Sequence, residues 1–281
     1  NVDQNKFEEI TGKNILINNG FINDLCKNIP DVDEEIDADG LSITPGFIDS
    51  HTHPVFVNNR ANEFNMRISG KTYTEIAQAG GGIISSINGV RNGSFEELYD
   101  KTLENIEIIF SHGTTTLEAK SGYGLTLEDE IKSLNVLKKI NNDCVIDIIP
   151  TFMGAHAFPI EFENDKDGYI DLLCNEMIPK VAEEKLAVFC DVFCESGYFT
   201  VEQSRKILES GIKYGLIPRM HADEFIDSGA AELAADIGAI SADHLMAVSD
   251  KGIKKMANAG VIATLLPGTT LFLGQNNFAN G

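Results

Sequence analysis

Residues 200–224 read Thr200-Val201-Glu202-Gln203-Ser204-Arg205-Lys206-Ile207-Leu208-Glu209-Ser210-Gly211-Ile212-Lys213-Tyr214-Gly215-Leu216-Ile217-Pro218-Arg219-Met220-His221-Ala222-Asp223-Glu224, and this stretch decides the fold. It opens on a capping box, in which a Thr and the Gln three residues later satisfy two orphan N–H groups of a helix start. An amphipathic run continues to Tyr214. Gly215 then ends it, as glycine does at helix C-termini. Leu216 begins a β-like run that finishes at His221 and Glu224. Helix, glycine, strand and polar loop in that order are the connection of a βα fold.

The same unit recurs on either side. Ser94-Phe95-Glu96-Glu97 reads as a capping box whose helix ends at Ser111-His112 before Gly113. Thr126 starts a helix through about Ile140, and Ser228 and Ser249 read as caps of two shorter helices that stop at Gly238 and Gly260. The expected strands are Gly46–His53, Thr114–Lys120, Cys144–Phe152, Ala187–Glu195, Leu216–Glu224, Ile240–His244 and Val261–Leu266. Several are apolar with little alternation, as strands buried on both faces are. Regular alternation with helices predicts a parallel sheet. Seven strands in one series, with no dinucleotide fingerprint after any of them, favour a (β/α)₈ TIM-type barrel over a Rossmann fold. Residues 1–43 follow another pattern: Asn14-Ile15-Leu16-Ile17 and Phe21-Ile22 flank Asn18-Asn19-Gly20, which predicts a β-hairpin turning at Asn19-Gly20.

Composition bounds the function. The chain has 281 residues, room for two ordinary domains or for one barrel with a small appendage. Hydrophobic residues at 43% and charged ones at 23% exclude a mostly disordered chain. The formal charge of −21 argues against a nucleic-acid or anionic-membrane partner, both of which attract Lys/Arg stripes. It leaves room for a small polar substrate held by local cations. The longest apolar stretches break well before the ~18 residues of a membrane span. Residues 1–10 are too polar and acidic for a signal peptide. Five cysteines, an odd number, point to a reducing cytoplasm rather than a disulfide framework. The sequon Asn92-Gly93-Ser94 then means no more than a turn.

The sharpest chemical signal is Pro45-Gly46-Phe47-Ile48-Asp49-Ser50-His51-Thr52-His53. Residues two apart in a strand share a face, so His51 and His53 present adjacent imidazoles, a spacing that suits one Zn, Fe or Ni ion. His156, His221 and His244 also fall at or just past strand C-termini, where the active sites of barrels lie. The sixth histidine, His112, sits in the last turn of a helix, where a cation suits the dipole. Glu224, three residues past His221, can orient a substrate or shuttle a proton. Arg60, soon after the H-x-H loop, can grip a carboxylate. Glu118 and Lys120 are expected to form an internal ion pair, and Tyr123, between two glycines, to be presented rather than packed.

Other motifs carry nothing. Gly70-Lys71-Thr72 lacks the opening Gly of a phosphate loop, since position 65 is Asn. Gly80-Gly81-Gly82 reads as a flexible active-site loop, and Cys190 and Cys194 as core residues of an apolar strand. Neutral histidines on a divalent metal with an open position lower the pKa of bound water to ~7. With a nearby His or carboxylate to move the proton, the chemistry that follows is hydrolysis of a C–N bond.

These motifs resemble those of the amidohydrolase superfamily, and within it the imidazolonepropionase family. The resemblance is carried by Pro45–His53, Arg60-Ala61-Asn62-Glu63-Phe64, Gly80-Gly81-Gly82-Ile83, Glu118–Leu125, Gly154-Ala155-His156, Asp191–Glu195, His221–Glu224, Ser241–Leu245 and Leu266-Pro267-Gly268. It implies that His51, His53 and His221 bind one metal ion, Zn or Fe. Arg60, Tyr123, His156 and Glu224 would bind substrate, and His244 and Glu224 would act in catalysis. The implied reaction opens 4-imidazolone-5-propanoate to N-formimidoyl-L-glutamate, in a homodimer.

One departure stands out. The family's last metal ligand, an Asp on an eighth strand in a Thr-Asp-x-Asn-Pro-Gly context, has no counterpart in residues 1–281. The expectation is therefore a barrel truncated before its eighth strand (residues 44–281) with part of a small β-sandwich at residues 1–43, which alone would hold metal weakly and turn over negligibly. Alternatives are another cyclic amidohydrolase or deaminase, or a non-catalytic metal-binding barrel.

Overall fold

In the computed structural model, the described residues are 8–71, 75, 81–275, 278 and 279. They fall into two units, Asn1–Pro45 and Gly46–Gly281. In the first, β1 (Asn14–Asn18) pairs antiparallel with β2 (Phe21–Cys26). The pairing of Asn18 with Phe21 leaves Asn19-Gly20 as the turn. Both turn residues have positive φ, 52° and 80°, which is the backbone that matches the twist of a two-residue hairpin.

In the second unit, seven strands pair in parallel in strict chain order: β3 (Phe47–Thr52), β4 (Thr114–Lys120), β5 (Asp147–Ala155), β6 (Phe189–Cys194), β7 (Ile217–Ala222), β8 (Ser241–His244) and β9 (Ile262–Thr264). Helices α1 (Ala61–Ile68), α2 (Ile83–Asn92) and α3 (Phe95–Ser111) lie between β3 and β4. The later connections carry α4 (Leu127–Asp143), then α5 (Lys166–Leu172), a π-helical turn and α6 (Ile178–Glu183), then α7 (Val201–Lys213), α8 (Ala230–Ile237) and α9 (Asp250–Ala259), with α10 (Pro267–Leu273) after β9. This is the expected α/β barrel architecture. A cavity of about 440 Å³ lies between the edge strands, lined by Phe47–His51 of β3 and by Thr264–Thr269. Among the described residues no helix is long and apolar enough to cross a membrane.

Alternation along the strands separates two environments. Leu117, Ala119, Val192, Met220, Ala222 and Ala242 join Leu98, Ile106, Leu134, Leu137, Ile207 and Leu233 in one apolar core beneath the helices. Their neighbours Glu118, Lys120, Asp191, Arg219, His221 and Asp243 are equally buried, inside the barrel. Cys190 and Cys194 are fully buried and unpaired, as their apolar strand predicts.

Several boundaries differ from the sequence reading. Helix α4 continues past Ile140 to Asp143, and the Asn141 side chain accepts the Ile148 N–H at 2.6 Å, so strand pairing starts only at Asp147. The Thr200/Gln203 box makes both of its bonds, whereas at Ser94 the hydroxyl accepts from Glu97 N–H as a simple cap. Ser249 caps α9 as expected. Ser228 does not cap α8. The Asp223 carboxylate does so instead, accepting the N–H groups of Ser228, Ala230 and Ala231 at 2.9–3.1 Å. A carboxylate at the strand end accepts several donors at once and suits the positive end of the helix. Of the glycine run, Gly80 lies outside the described residues, as does Thr72 of the phosphate-loop look-alike. Gly81-Gly82 lead straight into α2.

Candidate active site

Five histidines meet inside the barrel mouth. His51 is in β3 and His53 just past it, His156 follows β5, His221 lies in β7 and His244 ends β8. Ring centroids are 4.5 Å apart for His51 and His221, 5.3 Å for His51 and His53, 4.9 Å for His53 and His156, and 5.0 Å for His221 and His244. His51, His53 and His221 each offer one nitrogen, all within 4.8 Å of one another. Those three could hold a metal ion. His112 stays outside, its Nδ1 donating to the Ile108 carbonyl at the end of α3.

Two carboxylates orient the triad. His51 Nδ1 donates to Asp243 Oδ2 at 2.7 Å, and His221 Nδ1 donates to Asp191 Oδ1 at 3.1 Å. An ionised carboxylate only accepts, so the proton of each ring is on Nδ1 and the lone pair is on Nε2. His221 Nε2 lies 3.2 Å from His53 Nε2, and His53 Nδ1 is buried with no hydrogen-bond partner. Burial holds His51 and His53 well below the ordinary imidazole range, with Lys120 adding to the effect at His51 and His156 at His53. Three imidazoles converging in one pocket, two of them with Nε2 lone pairs fixed by carboxylates behind them, are a donor set that could hold a metal ion.

Beneath the histidines lies a buried charge network that the sequence reading found only in part. Lys120 Nζ sits 2.8 Å from Glu118 Oε1 and 2.7 Å from Asp191 Oδ2, so the expected pair with Glu118 exists and is extended. Arg219 donates to Asp243 Oδ2 at 2.8 Å and to the Ser50 carbonyl at 2.7 Å, and the Thr151 hydroxyl donates to Glu118. Burial opposes the charge on Asp191, but Lys120 and then His221 hold its carboxyl well below the usual range. Burial likewise opposes the charge on Lys120, and Asp191 and Glu118 nevertheless keep its ammonium above its ordinary value. Asp191, Arg219 and Asp243 are buried beside the histidines and were not among the expected site residues. Their signal was a charged residue at an inward position of an otherwise apolar strand.

The remaining expected residues ring the triad. Tyr123 lies 5.2 Å from His156 and 5.8 Å from His53, ring to ring, and the Arg60 guanidinium is 5.9 Å from the Tyr123 centroid. Arg60 Nη2 also donates to Ser86 Oγ at 3.0 Å. His156 Nδ1 donates to the Gly122 carbonyl at 3.0 Å, and burial lowers its pKa to about 3. On the other side, Glu224 Oε1 is 3.6 Å from His244 Nδ1. Burial pushes Glu224 up to about 7 and His244 down to about 3. His244 and Leu245 both adopt left-handed φ, 78° and 62°, a conformation rare for side-chain-bearing residues and common where a site over-determines the backbone.

The fold and the histidine cluster together define an α/β barrel that carries a candidate metal centre towards the C-terminal ends of its strands. A 5-methylcytosine deaminase from Klebsiella pneumoniae has the same fold, with TM-score 0.67 over 93% of this chain and 64% of that one, at 16% identity. The imidazolonepropionase of Brevibacillus brevis is 56% identical over 246 residues, which are 88% of this chain and 58% of that protein. The imidazolonepropionase of Clostridium tetani is 46% identical, covering 99% of this chain and 68% of that protein. The chain belongs to the imidazolonepropionase family. It spans 58% of the length of the Brevibacillus brevis relative. No family model matches the chain.

Proposed function

We propose that the protein containing this chain hydrolyses the ring C–N bond of 4-imidazolone-5-propanoate to give N-formimidoyl-L-glutamate, the third step of histidine degradation. The observation that carries this reading is the placement of His51, His53 and His221 between a cationic, aromatic side and a carboxylate–imidazole side. Relatives named imidazolonepropionase at 46–56% identity support the same substrate.

His51, His53 and His221 would hold one metal ion, zinc or iron. Such an ion, when bound, acidifies water and polarises a carbonyl. Arg60 is suited to the propionate carboxylate, since a guanidinium offers paired donors to it. Tyr123 and neutral His156 would line the ring of the substrate. His156 Nε2 bears a lone pair because Nδ1 is spent on Gly122, so it accepts a ring N–H. Glu224, with a pKa of about 7, exists in both protonation states near neutrality and can pass a proton to the leaving nitrogen. His244, neutral and 3.6 Å from Glu224, would assist the attack of water or the transfer of its proton towards the leaving nitrogen. Water adds to the ring carbonyl carbon, the C–N bond breaks, and the nitrogen leaves protonated.

Residues 1–43 would belong to a small β-sandwich domain and residues 44–281 to the catalytic barrel. Five free cysteines suit a reducing cytoplasm, where the protein would act as a homodimer like the one the family resemblance implies. The test is turnover by the whole protein on imidazolone propanoate beside hydantoins, dihydroorotate and guanine. Conversion of the first alone to N-formimidoyl-L-glutamate is expected. Deamination of guanine, or ring opening of another cyclic amide in its place, would overturn the reading.

A further inference from the structure

Resting on that reading, we propose that Glu130 is a positioning residue for substrate: its carboxylate holds the Gly122–Leu125 loop that presents Tyr123 and orients His156. Glu130 is on α4, fully buried, and none of the chemistry above uses it. Its Oε1 accepts the N–H groups of Gly124 and Leu125, each at 2.9 Å, and Gly122 N–H lies 3.1 Å from Oε2. These donors come from a loop that follows β4, so no strand partner takes them. Burial pushes the carboxyl up, while the backbone donors favour its ionised form.

The carboxylate acts on both substrate-side groups through one short segment. Tyr123 lies between two of the glycines whose N–H groups Glu130 accepts. The Gly122 carbonyl accepts from His156 Nδ1 at 3.0 Å, and because a carbonyl only accepts, this bond fixes the proton of His156 on Nδ1. From the far side, Arg91 Nε donates to the Gly124 carbonyl at 2.7 Å. The loop is packed closely enough that its place is determined. A Cβ on Gly122, whose φ is +107°, would lie 2.9 Å from the Met153 carbonyl oxygen and 3.1 Å from His156 Nδ1. A Cβ on Gly124 would lie 2.6 Å from the Asp129 backbone. A carboxylate suits three converging donors. An amide in its place keeps one acceptor oxygen and turns an NH₂ toward an N–H.

The experiment compares Glu130→Gln and Glu130→Ala in the whole protein, with KM, kcat, metal content and amide hydrogen exchange at residues 122–125 as readouts. Since Tyr123 and His156 would contact substrate before and during reaction, Glu130→Ala should raise KM about tenfold while kcat per bound metal falls much less. Glu130→Gln should lie between Glu130→Ala and the unsubstituted protein, and both variants should speed exchange at Gly122, Gly124 and Leu125. Should Glu130→Ala fail to fold, the near-isosteric Gln variant carries the comparison. A purely structural role would instead lower the folded or metal-loaded fraction with KM unchanged, and that result would overturn the proposal. Unchanged exchange in Glu130→Gln overturns it regardless of substrate. Absence of imidazolone turnover by the unsubstituted protein would instead strike the functional reading.

Discussion

Asp243 Oδ2 accepts both His51 Nδ1 at 2.7 Å and Arg219 Nη2 at 2.8 Å, which links β3 to β7 and β8 across the barrel interior. Strands β3 and β8 are not neighbours in the sheet, so this link passes through side chains alone. It fixes the His51 tautomer and therefore the direction of its Nε2 lone pair. Asp243→Asn can present its NH₂ to His51 and lose that control. Metal affinity, measured by competition with a chromophoric chelator, should weaken about 10- to 100-fold, the usual effect of removing a partner that orients a ligand.

Lys120 faces Glu118 and Asp191 at 2.7–2.8 Å with no solvent exposure. Lys120→Met retains much of the volume but leaves two buried carboxylates short of a cation. Removing one partner of a buried pair costs about 3–5 kcal/mol, more than the apolar burial of a Met returns. Urea unfolding should register the loss at neutral pH, and recover part of it in acid as Asp191, no longer held ionised by Lys120, protonates.

Glu224 supplies a signed pH dependence. Its folded pKa of about 7 stands above the ordinary 4.5, so the folded state binds the proton more tightly than the unfolded chain does. Its contribution to stability is present below pH 4.5 and is lost as pH rises to about 7. Glu224→Gln does not titrate. Its melting temperature relative to the unsubstituted protein should therefore climb across that interval, by an amount corresponding to about 3 kcal/mol or less. A difference that stays flat with pH would contradict the burial of an ionisable Glu224.

Arg60 reaches the site through Tyr123 and Ser86 rather than through the histidines. Arg60→Ala should raise KM for imidazolone propanoate and leave metal content unchanged. Loss of about 1.5–3 kcal/mol of charge-assisted hydrogen bonding corresponds to a rise of roughly 10- to 100-fold. A substrate analogue lacking the propionate carboxylate should show a much smaller change.

The parallel barrel was legible because its grammar is local. A capped helix, a glycine and a β-like run repeat along the chain, and the histidines close several of those runs. Strand edges were less legible: at Asp147 the boundary depends on how far α4 continues and on a bond from Asn141. Helix α2, Ile83-Ile84-Ser85-Ser86-Ile87-Asn88-Gly89-Val90-Arg91-Asn92, was missed because β-branched residues, serines and a glycine give it weak intrinsic preference. The positions of His51, His53, His156, His221 and His244 could be read from spacing. The partners that orient His51 and His221 could not. Asp243 meets His51 across 192 residues of chain, and Asp191 meets His221 through the lateral register of β6 and β7. Glu130 and Asp223 were hidden for the same reason, since their partners are backbone groups whose direction depends on turns.

The most direct test of the central claim is a metal titration of the chelator-stripped whole protein, with N-formimidoyl-L-glutamate formation from imidazolone propanoate as the signal. Turnover should be absent without metal, rise linearly to a break near one equivalent per chain, and fail to return at any metal concentration in His221→Ala. Full turnover by the stripped protein, or by His221→Ala, would contradict a trihistidine metal centre as the seat of the reaction.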